Sequence, residues 1–206
     1  MLNRTKYFRK LCLSGSFLVG LISLSSTANA QFIGINADVA IDYSAAPGKV
    51  SGGSVGISHP APFIPNIGYS SVSFIDKESI TNPSDNSSVS LDTTTTIKTI
   101  NLFYNVPFPV VTITVGFGLG GVETITTIKE NNVDKDNSDS KDSVSEVFFH
   151  IGLPFWNTVE FHLGYHLMSF SSIDITKSVN FQGKNYPTVK KSYSGGMTTI
   201  GVQVAF

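Results

Sequence analysis

The sequence predicts an all-β chain, an eight-stranded antiparallel up-and-down transmembrane β-barrel preceded by a cleaved signal peptide. Three observations predict it. After residue 30 the chain is a series of segments alternating apolar and polar residues, rich in Gly, Thr, Ser and β-branched residues, with no helical apolar run. The connections between these segments are of two unlike kinds, short proline-bearing turns and longer polar stretches. The chain also begins on a secretory pattern and ends on an apolar row that runs to its last residue.

Taken in order, residues 1–30 open with Arg4, Lys6, Arg9 and Lys10, continue through an apolar stretch over 11–24, and close on Ala28-Asn29-Ala30. Basic, apolar and small-residue parts in that order predict a signal peptide cleaved before Gln31. Ser14, Ser16 and Ser23 interrupt the apolar stretch, which falls short of the ~20 residues of a spanning helix. Cys12 has Lys10-Leu11 before it rather than small residues, so no lipid anchor is expected. Residues 31–206 then form the barrel domain, with no cysteine, ten lysines, no arginine and 15 acidic residues, a formal net charge of −5. Thiol chemistry is excluded, and a mildly acidic chain without arginine argues against nucleic acid as a partner.

Strands are expected near 32–43, 51–59, 67–78, 93–105, 110–125, 143–153, 158–171 and 193–206. The short connections are 59–66, 105–109 and 154–158, and the long polar ones are 44–50, 80–92, 130–142 and 173–192. Short turns alternating with long loops characterise outer-membrane barrels, with turns in the periplasm and four loops outside. Side chains two apart share a face. Ile33, Ile35, Ala37, Val39, Ile41 and Tyr43 therefore form one row of the first strand, against Gly34, Asn36, Asp38 and Asp42. Val147, Phe149, Ile151 and Leu153 oppose Glu146, Phe148, His150 and Gly152 in the sixth, and Phe161, Leu163, Tyr165 and Leu167 oppose Glu160, His162 and His166 in the seventh. In a membrane barrel the apolar rows face lipid; in a soluble sandwich they would face a core.

The last strand carries Ile200, Val202, Val204 and Phe206 on its apolar face and Gln203 on the other. An apolar row ending on an aromatic residue resembles the terminal strand by which outer-membrane barrels are recognised for assembly. Gly52-Gly53, Gly120-Gly121 and Gly195-Gly196 are expected at bulges or sharp curvature. Gly116, Gly118 and Gly120 leave room for large lumen neighbours such as Phe148. Phe63, Phe108, Phe155 and Trp156 fall in the short turns, as an interfacial aromatic girdle would.

The stretch His59-Pro60-Ala61-Pro62-Phe63-Ile64-Pro65-Asn66 resembles the first periplasmic turn of a family of small Gram-negative outer-membrane β-barrels, with His59, Pro60, Pro62, Pro65 and Asn66 as the matching positions. Residues 99–105 and the run Gly116-Phe117-Gly118-Leu119-Gly120 are similar to two strands of the same family. The chain departs from the pattern in lacking an early tryptophan of the mature chain and an acidic residue before His59. The resemblance implies a fold and an outer-membrane location, without an activity.

Residue chemistry gives few candidates. Residues 134–139 (Asp-Lys-Asp-Asn-Ser-Asp) place oxygen ligands as a calcium loop does, but without its glycine and terminal glutamate, and are expected to be a solvated loop. Asn86-Ser87-Ser88 is a sequon, uninformative in a bacterial chain. Lys177, Lys184, Lys190 and Lys191 sit where lipopolysaccharide phosphates would lie. A lipid-modifying enzyme would need a serine, a histidine base and an acid that converge; Ser169 and Ser171 follow His162, His166 and Glu160, but His166 and Ser169 differ in parity. No catalytic residue, cofactor or metal is expected. If a metal does bind, the candidates are His150, His162, His166 and Glu146. Pairing of the sixth and seventh strands around residues 155–157 would set His150 opposite His162 and Glu146 opposite His166, in a lumen network with Asp38 and Glu160.

The functional expectation is a structural or surface-interaction barrel presenting four external loops. The alternative is a narrow pore or transporter for small, apolar solutes, and a lipid-modifying enzyme is a third reading. The expected partners are outer-membrane lipid, lipopolysaccharide and the barrel-assembly machinery.

Overall fold

A computed structural model describes residues 33–206 apart from Pro62, Pro83, Asn131, Asn132, Asn157 and residues 175–179, 182–183 and 186–188. The expected signal peptide and Cys12 lie outside the described residues. Seven strands follow in order: β1 (Gly34–Tyr43), β2 (Val50–Ser58), β3 (Asn66–Thr81), β4 (Ser88–Pro107), β5 (Thr112–Glu130), β6 (Val133–Trp156) and β7 (Val159–Phe170). Four two-residue strands, β8 (Ile173–Asp174), β9 (Asn180–Phe181), β10 (Lys184–Asn185) and β11 (Lys190–Lys191), pair as β8 with β11 and β9 with β10. The chain ends in β12 (Gly195–Ala205), which pairs antiparallel with both β7 and β1 and closes an eight-stranded transmembrane barrel. Every neighbour around the ring is antiparallel and, apart from the closing pair, adjacent along the barrel's own strand order. Closure leaves no sheet edge, which the bilayer would not tolerate.

The alternation decides which way the barrel faces. Ile35, Val39, Phe149, Ile151, Phe161, Leu163 and Leu167 are exposed on the outer surface, whereas Glu146, His150, His162 and His166 are buried inside. A soluble sheet would reverse this, because burying ionisable groups while leaving apolar rows in water is unfavourable on both counts. Outside, the apolar band meets lipid.

Three local features differ from the sequence expectation. A register shift between Ala40 and Asp42 turns Tyr43 into the lumen and Asp42 out, reversing the strict alternation there. The other shifts lie at Ile128/Lys129 and Pro154/Trp156, so among the described residues no bulge falls on a glycine pair. Gly52 instead adopts φ 115°, a left-handed conformation that only glycine enters at little cost. At Gly53 and Gly120 the neighbouring strand's backbone passes where a Cβ would sit, which is close approach rather than a bulge.

The largest difference is strand length. A tilted membrane strand needs ~9–11 residues, yet β4 has 20 and β6 has 24. The stretches 80–92 and 130–142, expected as loops, continue as paired strand to Thr81↔Ser88 and Glu130↔Val133. Polar composition reads as loop, but the partner strand supplies β-branched residues and specific contacts. Ile80, Val89, Leu91 and Ile128 form their own small core, Thr93 and Thr126 hydroxyls meet at 3.0 Å, and Lys129 and Lys141 pair with Asp92 (2.6 Å) and Glu123 (2.8 Å). Residues 134–139 are thus strand rather than a calcium-type loop.

Candidate functional site: the filled lumen

Inside the barrel the inward rows build two layers, a polar one toward the short turns and an apolar one toward the long connections. The polar layer takes Asp38 from β1, Thr99 and Asn101 from β4, Thr112 and Thr114 from β5, Glu146 and His150 from β6, and Glu160, His162 and His166 from β7. Glu146 and His166 are 0 % exposed. His166 Nδ1 lies 2.5 Å from Glu146 Oε1, and the Thr99 hydroxyl donates to Glu146 Oε2 at 2.5 Å. Nε2 of His166 is 3.1 Å from Nε2 of His150 and 3.2 Å from the Thr199 hydroxyl. His162 Nε2 stands 2.9 Å from Glu160 Oε1, at an angle too oblique for a well-formed hydrogen bond. The other Glu160 oxygen accepts from Thr112 at 2.5 Å, and Ser54 donates to Asp38 Oδ2 at 3.0 Å.

The expected residues therefore meet, though in a different register. His150 lies opposite Gly164, His162 opposite Gly152, His166 opposite Phe148 and Glu146 opposite Met168. The β6–β7 turn pivots one residue later than expected, with a shift at Pro154/Trp156. This slides the partners by two, which keeps every side chain on its face. Glycines then oppose the large side chains. A Cβ on Gly116 would overlap the Phe148 ring, one on Gly118 would overlap Asn101, one on Gly164 would overlap Thr199 and His150, and one on Gly201 would overlap Asp38. Phe148 stacks on His166 with centroids 5.0 Å apart.

Above this layer sits an apolar plug that the inward rows do not announce, since Phe148 is the one large apolar lumen residue the sequence singles out. Ala40, Tyr43, Val72, Phe74, Ile97, Val122, Val144, Met168 and Met197 close the lumen, joined by Ile173 and Tyr193 from the long 171–194 connection. Phe74 is the centre, edge-on to Tyr43 (5.6 Å) and Tyr193 (5.1 Å). The Tyr43 hydroxyl donates to the Tyr193 carbonyl, and the Tyr193 hydroxyl donates to Asp76 Oδ2 at 3.0 Å. Lys191 Nζ reaches Asp76 at 2.5 Å and Glu78 at 2.7 Å, so it latches this connection onto β3. Burial would depress the Lys191 ammonium, but Asp76 and Glu78 outweigh it and hold its pKa above the ordinary lysine range. The side chains of Lys177 and Lys184 lie outside the described residues.

At the opposite end, the His59 backbone N–H donates to Asn66 Oδ1 (2.9 Å), and the His59 ring spans Pro65 O (3.3 Å) and the Ala61 N–H (3.2 Å), tying both ends of the proline turn together. Pro62 lies outside the described residues. Phe63, Phe155 and Trp156 are exposed around this end. In β12, Ile200 is exposed, Val202 and Val204 half-buried and Gln203 buried, and Phe206, just beyond the strand, is exposed. Ser169 is exposed on the outer face while His166 is buried, so the structure does not bring them together.

No protein-family model matches the chain, and no curated protein matches it in sequence. Solved structures match in fold. A major outer membrane protein from Thermus thermophilus aligns over 84 % of this chain and 99 % of its own, at TM-score 0.54 and 8 % identity. The fold is that of the small outer-membrane barrels. Neisserial surface protein A aligns over 84 % and 96 % at 15 % identity and TM-score 0.45, and Ail, the attachment invasion locus protein of Yersinia pestis, over 84 % and 95 % at 8 % identity and TM-score 0.45.

Proposed function

We propose that the protein is a structural or surface-interaction barrel of the outer membrane, with a filled, non-conducting lumen. The observation that carries this reading is the plug: Phe74 packs between Tyr43 and Tyr193 across the lumen, above a layer of hydrogen-bonded polar side chains. An eight-stranded barrel is wide enough only for its own side chains or one small ligand, and here the glycine positions are already occupied by neighbouring side chains. The turn end, ringed by Phe63, Phe108, Phe155 and Trp156, faces the periplasm. The opposite end presents the β3–β4 and β5–β6 hairpins and the latched 171–194 connection to lipopolysaccharide and to surface partners. The apolar row ending at Phe206 serves recognition by the assembly machinery.

Planar-bilayer recording of the refolded barrel tests the reading. It predicts no single-channel steps in the parent. Reproducible steps in the parent would establish the narrow-pore alternative instead.

A further inference from the structure

We propose that Asp38, His150 and His162 form a buried site for one divalent transition-metal ion, zinc by ligand preference. All three are at most 5 % exposed, and one ligand atom from each lies within 4.8 Å of the others. Asp38 Oδ1 is 3.6 Å from His162 Nδ1 and 4.0 Å from His150 Nδ1, and none of these three atoms makes a hydrogen bond. Buried polar atoms in folded proteins are nearly always paired, and one cation between these three would satisfy all of them at once.

One proton order around the cluster turns a lone pair of each toward the same point. Glu146 accepts from the Thr99 hydroxyl on one oxygen and from His166 Nδ1–H on the other. His166 Nε2 then carries a lone pair and accepts from His150 Nε2–H, which leaves the lone pair of His150 on Nδ1. On the other side, one Glu160 oxygen accepts from Thr112 and the other stands 2.9 Å from His162 Nε2; the nearby carboxylate favours a proton on Nε2, and the neutral ring then carries its lone pair on Nδ1. Asp38 Oδ2 accepts from Ser54, leaving Oδ1. Three lone pairs thus converge, and each imidazole has its far nitrogen set against an acidic or histidine neighbour, the arrangement that orients metal-binding histidines.

Charge points the same way. Asp38 and Glu146 are buried and Glu160 nearly so, while no lysine or arginine is among the buried residues described. Two imidazole nitrogens and one carboxylate oxygen suit zinc, with copper, nickel and iron(II) as competitors. Zinc bonds of about 2.0–2.2 Å put tetrahedral ligands about 3.3 Å apart, so the three atoms need to close by about 1.5 Å at most. Gly164 and Gly201 let His150 and Asp38 sit where they do, since a side chain at either position would overlap them. Glu160, the least buried member, marks the way in from the turn end.

The experiment is refolding in detergent with zinc chloride, desalting, and elemental analysis beside Asp38→Asn, His150→Gln and His162→Gln, with His59→Ala as the control outside the lumen. About one zinc per chain is expected in the parent and in His59→Ala, and at least a tenfold loss in each lumen variant at native gel mobility. Refolding the parent with cobalt(II) should give the visible bands of a four-coordinate site. A natively folded parent that takes up no zinc means that a proton shared between Asp38 and a histidine fills the gap, and overturns the proposal. Zinc retained by the three variants does so too. If those variants do not reach native mobility, the parent's cobalt spectrum decides, and the spectrum of the free aqua ion overturns the site.

Discussion

Replacing Phe74 with alanine removes the centre of the plug. The ring is 2 % exposed and makes edge-on contacts with Tyr43 at 5.6 Å and Tyr193 at 5.1 Å. Core Phe→Ala changes cost about 3–5 kcal/mol, a total that contains the ~0.5–1.5 kcal/mol of each aromatic pair. Phe74→Ala should therefore lower the unfolding free energy by about 3–5 kcal/mol. Phe63→Ala removes the same atoms from a turn where they are 92 % exposed, and should stay within about 0.5 kcal/mol. Urea titration of the barrel in detergent micelles reads both, because Trp156 is the chain's one tryptophan and reports unfolding. A Phe74→Ala loss no larger than that of Phe63→Ala would refute the packed plug.

The remaining predictions concern assembly, packing and the latch. Phe206→Asp should lower the steady-state amount of folded barrel in the membrane, beside a Gln203 substitution that does not; equal behaviour of the two would remove the terminal row as an assembly signal. Gly116→Val should cost about 1–3 kcal/mol by overpacking against Phe148, and adding Phe148→Ala should recover part of it in the same urea assay. Because Asp76 and Glu78 raise the Lys191 pKa, its contribution is complete below pH 10.5, the ordinary lysine value, and is lost only as pH rises through the higher folded value. Limited proteolysis of residues 171–194 should thus be slow in the parent from pH 7 to 9 and fast in Lys191→Met throughout that range; identical cleavage would dismiss the latch.

The barrel was legible because its rows alternate with period two over eight segments, and because Glu146, His150, His162 and His166 share one parity on two neighbouring strands. Parity survives a register error of two, so the histidines were brought together although their opposite partners were misjudged. Alternation stops predicting the face where the register shifts: the irregularity at Ala40/Asp42 carries no sequence mark, and it is what turns Tyr43 inward. The tall hairpins were hidden because their inner face is held by a few residues, Ile80, Val89, Leu91 and Ile128, rather than by a strand-long apolar row, and Asp134–Asp142 looks like loop by composition. Strand pairing there is written in the partner, where Thr124, Thr126 and Ile128 are buried opposite. Asp38 belongs to the expected lumen network, but its place between His150 and His162 depends on the β1–β12 closure, a contact between the first and last strands that local pattern cannot specify. Tyr193 and Lys191, in a polar stretch without alternation, gave no sign that they fold back over the lumen.

The central claim, a closed barrel held in the outer membrane, is tested most directly by membrane fractionation with a heat-modifiability gel. The account predicts recovery in the outer-membrane fraction, with an unboiled band that migrates apart from the boiled one. Recovery as a soluble periplasmic protein with a single band under both conditions would contradict it.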